Sequence, residues 1–316
     1  MKSSFKPALV AAALVVGLAQ SAETIAQTYS KNNGIISFNA NVHGVPMISD
    51  LSVLGTVLVP YDNVGAGFQM TGRSALGNAY NPTQAGDCTQ TPSRLDAAID
   101  NWGGNNIGLP ATNGLQLQVT PRNYNEPSTC LGVGNLLPYN FAFGATLGDG
   151  TILPREAMPL EMSITRLAGS EVLEKAQSEL PSIFQFAQVL PRVYWSADGA
   201  TFQQFTVNIN GTYTNDIRAW PYGVNYGMTG KSVMVCTNEL TMCVALYSNK
   251  TTGMLASHRA GAAFELSLLT LTADTSGQVS DFQSHIGRKL LAVGTPATVQ
   301  AVISAAQSTI SDWGDL

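Results

Sequence analysis

Charge is scarce in this 316-residue chain. Lys, Arg, Asp and Glu make up 12% of it, about half of the roughly 25% usual in globular proteins. The apolar share is 45%, so Asn, Gln, Ser, Thr and Gly fill the gap rather than a larger core. The surface is therefore mostly neutral and polar, which suits uncharged, hydroxyl-rich ligands such as sugars. It suits nucleic acid poorly: the net charge is −5, and no basic stripe is present to release counterions from phosphates. Histidine is rarer still, at His43, His258 and His285. No G-x-S-x-G, H-E-x-x-H or phosphate-loop pattern occurs. The cysteines lack the short C-x2-C spacing of a zinc site, so neither a metal nor a cofactor is expected. No apolar run beyond the N-terminus is long enough to cross a bilayer. The polar C-terminal segment and irregular strand pattern argue against an outer-membrane barrel.

The N-terminus carries a different signal. Lys2 and Lys6 precede the apolar run from Ala8 to Ala19, ALVAAALVVGLA. Its dozen residues fit a signal-peptide core and fall short of a membrane span. Small residues place cleavage after Ser21 or after Ala26. Residues 1–26 are expected to be a signal peptide and residues 27–316 a single domain, secreted or periplasmic. Export gives the four cysteines an oxidising compartment, where an even count suggests two disulfides. Cys236 and Cys243 flank TNELTM between VMV and VAL, which reads as a hairpin loop. Cys88 and Cys130 are then the remaining pair. Loop-closure entropy assigns roughly 4 kcal/mol to the longer link and about 2.5 kcal/mol to the hairpin link.

Apolar residues alternate with polar ones in several stretches. ISFNANV places Ile36, Phe38, Ala40 and Val42 on one face. GLQLQVT turns Leu115, Leu117 and Val119 inward and Gln116 and Gln118 outward. LEMSITRL, FTVNIN and FELSL repeat the pattern, each a strand with one buried face. Asn33-Gly34, Asp149-Gly150, Asp198-Gly199 and Asn210-Gly211 are turn signals. Many strands with Gly- and Pro-rich turns predict an all-β, mainly antiparallel sandwich. TPATVQAVISAAQSTI is the clear helix, with Thr295 as N-cap, Pro296 in the first turn, and Val299, Val302, Ile303, Ala306 and Ile310 at helical spacing. SRLDAAIDNW from Ser93 reads as a short second helix with Ser93 and Asp96 as a weak capping box. SEVLEKAQSEL has helical propensity but runs into Pro181, leaving its type open.

The least regular part, from about Gly72 to Pro138, is where a site is expected. GNAYNPTQAGDC brings Tyr80, Asn81, Gln84 and Asp87 together ahead of Cys88. Pro82 restricts Asn81 to an extended or turn geometry, and a bridged Cys88 would pin one end, so that amides and hydroxyls are set before a ligand arrives. Tyr80 or Trp102 would stack on a sugar face. The competing reading is a self-satisfied turn, since Asn and Asp commonly bond their own backbone. RAWPYGVNYG adds Trp220, Tyr222 and Tyr226, either as an exposed aromatic platform or as a cap on the core edge. Acid–base candidates are sparse. His258 precedes Glu265 by seven residues, and Glu156, Glu179 and Asp87 lie in loop-like surroundings. A lyase or hydrolase using such carboxylates needs them roughly 5–9 Å apart. A structural or adhesive surface protein with no small ligand is the third reading.

VHGVPMISDLSVLG, then YDNVGAGFQ, then YNPTQAGD, followed by QSELPSIF, KSVMVCTNELTMCVALYS and LLAVGTPATVQAVI, together resemble secreted bacterial proteins with a galactose mutarotase-like β-supersandwich. The resemblance covers most of the chain after residue 26. It implies a large two-sheet supersandwich with a short C-terminal helix and a concave face that handles neutral carbohydrate. It places Asp62, Gln69, Tyr80, Asn81, Gln84 and Asp87 near that face; Trp220 of the aromatic loop is a separate candidate for ligand contact. Two departures stand out. Gly65-Ala66-Gly67 replaces the Gly-Arg that usually follows the turn aspartate. The histidine and glutamate that epimerise sugars in true mutarotases find no matching positions, so the expectation leans toward binding.

Overall fold

The structure, a computed structural model, describes residues 28–41, 47–59, 67–74, 79–80, 94–102, 112–120, 137–143, 153–165, 173–186, 190–205, 214–218, 232–247, 253–259, 263–272 and 284–309. Among these the chain forms nineteen strands and one helix. In order they are β1 (Thr28–Asn32), β2 (Ile36–Asn41), β3 (Met47–Val53), β4 (Thr56–Val59), β5 (Gly67–Ser74), β6 (Ala79–Tyr80) and β7 (Arg94–Trp102). There follow β8 (Thr112–Thr120), β9 (Leu137–Phe143), β10 (Ala157–Thr165), β11 (Leu173–Phe186), β12 (Arg192–Ser196) and β13 (Gln203–Phe205). The last are β14 (Thr214–Arg218), β15 (Ser232–Cys236), β16 (Cys243–Tyr247), β17 (Gly253–Arg259), β18 (Ala263–Thr272), β19 (Ser284–Gly294) and helix α1 (Pro296–Thr309).

The strands form three hydrogen-bonded sheets, in the orders β1-β2-β3-β4, β13-β12-β15-β16-β19-β10-β9-β8-β7 and β14-β17-β18-β11-β5-β6. These make two layers. β15 and β16 lie against β18, and β10 and β19 against β11, so the nine-stranded sheet faces the six-stranded one. β3 and β4 approach β5 and β11, which extends the second layer with the four-stranded sheet. Antiparallel neighbours throughout the described pairings match the short-turn, alternating sequence pattern. The fold is all-β with a short C-terminal helix.

The core sits on both faces of the nine-stranded sheet. Met234, Cys236, Cys243, Ala245, Tyr247, Leu290 and Ala292 pack with Val299, Val302, Ile303 and Ala306 of α1. The alternate positions Val233, Val235, Val244, Leu246, Leu291 and Val293 are buried as well. A strand covered on both faces reads as a continuous apolar run, which explains VMVC and LLAV. Helix α1 begins as expected: the Thr298 N–H donates to Thr295 Oγ1 at 3.2 Å, satisfying an otherwise unpaired first-turn amide. Its helical-spaced apolar stripe is the face that docks, and each fully buried Val or Ile contributes about 1.5–3 kcal/mol.

Two expectations are corrected, and one stretch left open is decided. SRLDAAIDNW is strand β7 rather than a helix, paired with β8 from Arg94 to Trp102; helix propensity is a weak prior that a ladder of cross-strand bonds overrides. SEVLEKAQSEL, left open by the sequence, belongs to β11, a central strand with β18 on one side and β5 on the other. Proline cannot donate to a ladder. Accordingly the register slips between Leu180 and Ile183 toward β18 and between Glu179 and Ser182 toward β5, so Pro181 falls in a bulge on both sides. Gln116, expected outward, is only 5% exposed.

Candidate functional site

The expected site residues divide by where they fall. Asp62, Asn81, Gln84, Asp87 and Trp220, like the Cys88–Cys130 pair and the signal segment 1–26, lie outside the described residues. Gln69 lies in β5 directly opposite Glu179 of β11. Tyr80 lies in β6 opposite Gly72 of β5. Gln69 and Tyr80 therefore stand on neighbouring strands, three positions apart and at opposite parity in the pleat. Trp102 ends β7, opposite Gly114. His258 is opposite Phe264, and Glu265 is opposite Ser257. That one-position offset puts His258 and Glu265 on different faces of the sheet.

The second expected disulfide is formed. Cys236 and Cys243 are direct partners across the β15–β16 hairpin, with Cα atoms 4.0 Å apart. The hairpin closes just beyond them, where Thr237 N–H donates to the Met242 carbonyl at 2.9 Å. Thr237 Oγ1 accepts from the Thr241 and Met242 amides within the loop.

Long polar side chains among the buried described residues include Lys31, Lys289 and Gln116. Lys31 of β1 is opposite Phe38, shares that buried face, and is 4% exposed. It reaches across the sandwich to pair with Asp100 of β7, whose carboxylate is half exposed. A buried ammonium is costly unless paired, so this contact ties the four-stranded sheet to the nine-stranded one. Lys289 of β19 is wholly buried, opposite Leu160 of β10. Gln116 of β8 is buried, and its carboxamide oxygen accepts from Gln118 Nε2 at 3.2 Å. Alternation rules could not find Lys31 or Lys289: a lysine on the inner face looks the same in sequence as one on the outer. The only hint is that Lys289 directly precedes the buried run Leu290–Val293.

The turn after β12 is a compact electrostatic unit. Asp198 Oδ1 accepts from Ala200 N–H at 2.8 Å, Thr201 N–H at 2.7 Å and Ser196 Oγ at 2.8 Å. These bonds favour the ionised carboxylate, and with Thr201 and Ala200 as the main causes they hold its pKa well below the usual range. Gly199 has φ +86°. Helix α1 docks on this turn through Gln300, which donates to the Ala200 carbonyl, and Gln307, which donates to the Asp198 carbonyl at 2.8 Å. Gln307 also hydrogen-bonds Tyr247, whose pKa burial raises despite that bond. The donors and acceptors of this turn are spent on one another, which makes it a helix latch rather than an open site. Among the described residues no three of His, Cys, Asp and Glu come together as metal ligands, and no helix is long and apolar enough to cross a membrane.

The two-layer arrangement, nine strands against six and four with a helix on the outer face, is a galactose mutarotase-like β-sandwich. Among solved structures the chain is similar to the Slr1438 protein of Synechocystis sp. PCC 6803, with a TM-score of 0.53 and 11% identity over 85% of this chain and 96% of that one. It is equally similar to a candidate aldose 1-epimerase of Escherichia coli K12, with a TM-score of 0.53 and 12% identity over 85% of this chain and 99% of that one. At such identities the likeness defines the fold and nothing finer. No family model matches the sequence, and no curated protein matches it.

Proposed function

We propose that the protein is an exported carbohydrate-binding or carbohydrate-processing protein, with a neutral sugar held on the concave sheet face and by the loops between residues 72 and 138. The observation that carries this reading is the fold shared over nearly the whole of a candidate aldose 1-epimerase, named for its action on a sugar. Two features of the chain support it. The scarcity of charge, 12% of residues, leaves amides and hydroxyls as the surface groups, and these match sugar hydroxyls as donors and acceptors. The Cys236–Cys243 disulfide suits the oxidising compartment to which the Lys2–Ala19 segment would direct the chain.

Binding is favoured over epimerisation because the described His258 and Glu265 stand on different faces of their sheet. Within this reading Asp62, Gln69, Tyr80, Asn81, Gln84 and Asp87 supply polar contacts and Trp220 a stacking face. The test is a glycan array probed with the wild-type chain lacking residues 1–26 beside Asn81→Ala and Gln84→Ala. Retention of a neutral glycan that weakens in both variants is the expected outcome. Undiminished retention in both removes the loop from the site, and no retained glycan with wild type removes the function.

A further inference from the structure

One corner of the fold ties down a reactive dipeptide. Asn33-Gly34 turns the chain from β1 into β2, with Gly34 at φ +91°. Asparagine followed by glycine is prone to deamidate, because glycine has no side chain to hinder its own backbone nitrogen. The reaction is intramolecular. The Gly34 nitrogen gives up its proton to base and bonds to Asn33 Cγ. The Cγ–Nδ2 bond breaks, and ammonia leaves after taking a proton from solvent. The product is a five-membered succinimide, which water then opens. Cleavage at Cγ gives aspartate, and cleavage at the main-chain carbonyl carbon gives isoaspartate. The net change is from amide and water to carboxylate and ammonium.

Every group in this reaction is engaged by the fold. Gly34 N–H donates to Asn32 Oδ1 at 2.7 Å. Asn33 Oδ1 accepts from Ile35 N–H at 3.0 Å and from Ile36 N–H at 2.8 Å. Asn33 Nδ2 donates to the Arg155 carbonyl at 2.9 Å. These partners fix the orientation of the carboxamide, since a backbone amide needs an oxygen opposite it and a carbonyl needs a nitrogen. The two donors on Oδ1 would by themselves help attack at Cγ, by stabilising the charge that develops on that oxygen. Two other contacts oppose it. Asn32 Oδ1 favours the protonated Gly34 nitrogen, and the Arg155 carbonyl holds the leaving group in place. Asn32 and Gly34 are exposed, so base and water reach the turn, and bonding rather than burial protects it.

The bond to Arg155 also joins the four-stranded sheet to the segment that enters β10, as the Lys31–Asp100 pair joins it to β7. Aspartate at position 33 would set a second acceptor against the Arg155 carbonyl. Isoaspartate would add a methylene to the main chain of a turn whose flanks pair from Asn32 and Ser37 outward. Neither product restores the bond. We infer that Asn33 is a latent deamidation site, held closed by Asn32 and Arg155 while this corner is docked, and that its conversion is a one-way modification that releases the corner.

The test incubates the protein at mildly alkaline pH, folded and in urea, and follows residue 33 by peptide mass spectrometry against synthetic aspartyl and isoaspartyl peptides. Asn113-Gly114 and Asn210-Gly211 calibrate the urea arm. Folded wild type should convert about tenfold or more slowly than unfolded, the factor expected when one or two hydrogen bonds must break before reaction. Asn32→Ala should lose most of that protection, each variant being compared with itself in urea. Asn33→Asp should lower the urea midpoint and speed tryptic cleavage at Lys31. Should Asn33→Asp fail to fold, Asn33→Ser, which drops the Nδ2 donor without adding charge, carries the same two measurements. Equal folded and unfolded rates in wild type, or full protection in Asn32→Ala, overturn the closed site. Absence of conversion in urea overturns the latent one. A wild-type midpoint with wild-type cleavage in the residue-33 variant overturns the release.

Discussion

Replacing Gly199 with alanine tests the latch between α1 and the sheet, because the structure separates two costs that usually arrive together. At φ +86° an L side chain pays about 1 kcal/mol for the left-handed backbone alone. An added Cβ would also come within 2.7 Å of Tyr247 Cε2 and collide with Gln307 Nε2. Gln307 is the end of a flexible side chain and can retreat, giving up its bonds to Asp198 and Tyr247. The Tyr247 ring cannot move, since it is packed in the cluster under α1. Overpacking of that kind adds about 1–3 kcal/mol, so Gly199→Ala should cost about 2–4 kcal/mol in urea unfolding. Gly55 supplies the control: its φ is +80°, and nothing lies within 4 Å of an added Cβ. Gly55→Ala should then cost only the backbone part, about 1 kcal/mol. Equal losses at the two positions would refute the claim that close packing against Tyr247 holds the turn to the helix.

Removing the hairpin disulfide by Cys236→Ser with Cys243→Ser should lower stability by about 2.5 kcal/mol from chain entropy for a separation of seven residues; denaturant melts with and without reductant check it, and no change on reduction would contradict it. Asp100→Asn removes the carboxylate facing the buried Lys31 ammonium and should cost about 1–3 kcal/mol, less than a fully buried pair because Asp100 is half exposed. Lys31→Met combined with Asp100→Asn should recover part of that loss in a double-mutant cycle. Thr295→Ala should cost about 1 kcal/mol through loss of the α1 cap. In the pH profile, the depressed Asp198 pKa gives a contribution that is present above the unfolded value of about 4 and lost as pH falls below it, so Asp198→Ala should flatten the acid side of the stability curve. The raised Tyr247 pKa works at the other end: its contribution is present below about 10 and lost above it, and Tyr247→Phe should flatten the alkaline side.

What the sequence revealed and what it hid follow from the range of each interaction. Helix α1 was legible because its signals are local: a threonine cap, a proline in the first turn, and an apolar stripe with one period. The Asn33-Gly34 and Asp198-Gly199 turns were legible for the same reason, and both glycines carry positive φ. β7 was not, because RLDAAIDNW meets helical spacing about as well as alternation, and only the β8 ladder decides between them. β11 was hidden by Pro181, which disqualifies a central strand unless both neighbours slip register around it, as β18 and β5 do. Of the site, the sequence could single out polar loops. It could not show that residues as far apart as Gln116, Asn140, Glu161 and Arg288 share one line across four strands, since strand order is a tertiary property. In LEMSITRL Glu161 has the alternating pattern of an outward position, and its place beside Arg288 and Asn140 emerges only from the register.

The space between the layers is closed by apolar packing. Where side chains are described, the positions between the layers are filled by Ile36, Phe38, Leu51 and Val53 from one side and by Val233, Val235, Leu246 and Leu291 from the other. Interiors packed in this way hold few voids larger than a water molecule. On the opposite face α1 covers β16 and β19 as far as Leu290. One row further, at Arg288, the apolar positions under the helix give way to the polar line toward β8. The helix thus bounds the line on one side, and the latch from Gln300 and Gln307 to the Asp198 turn fixes where that boundary stands. Gly199→Ala, which strains the latch, should therefore loosen α1 and bare the apolar face beneath it, raising the binding of a hydrophobic dye alongside the loss of stability. Unchanged dye binding in a folded Gly199→Ala protein would show that the turn does not hold α1 in place.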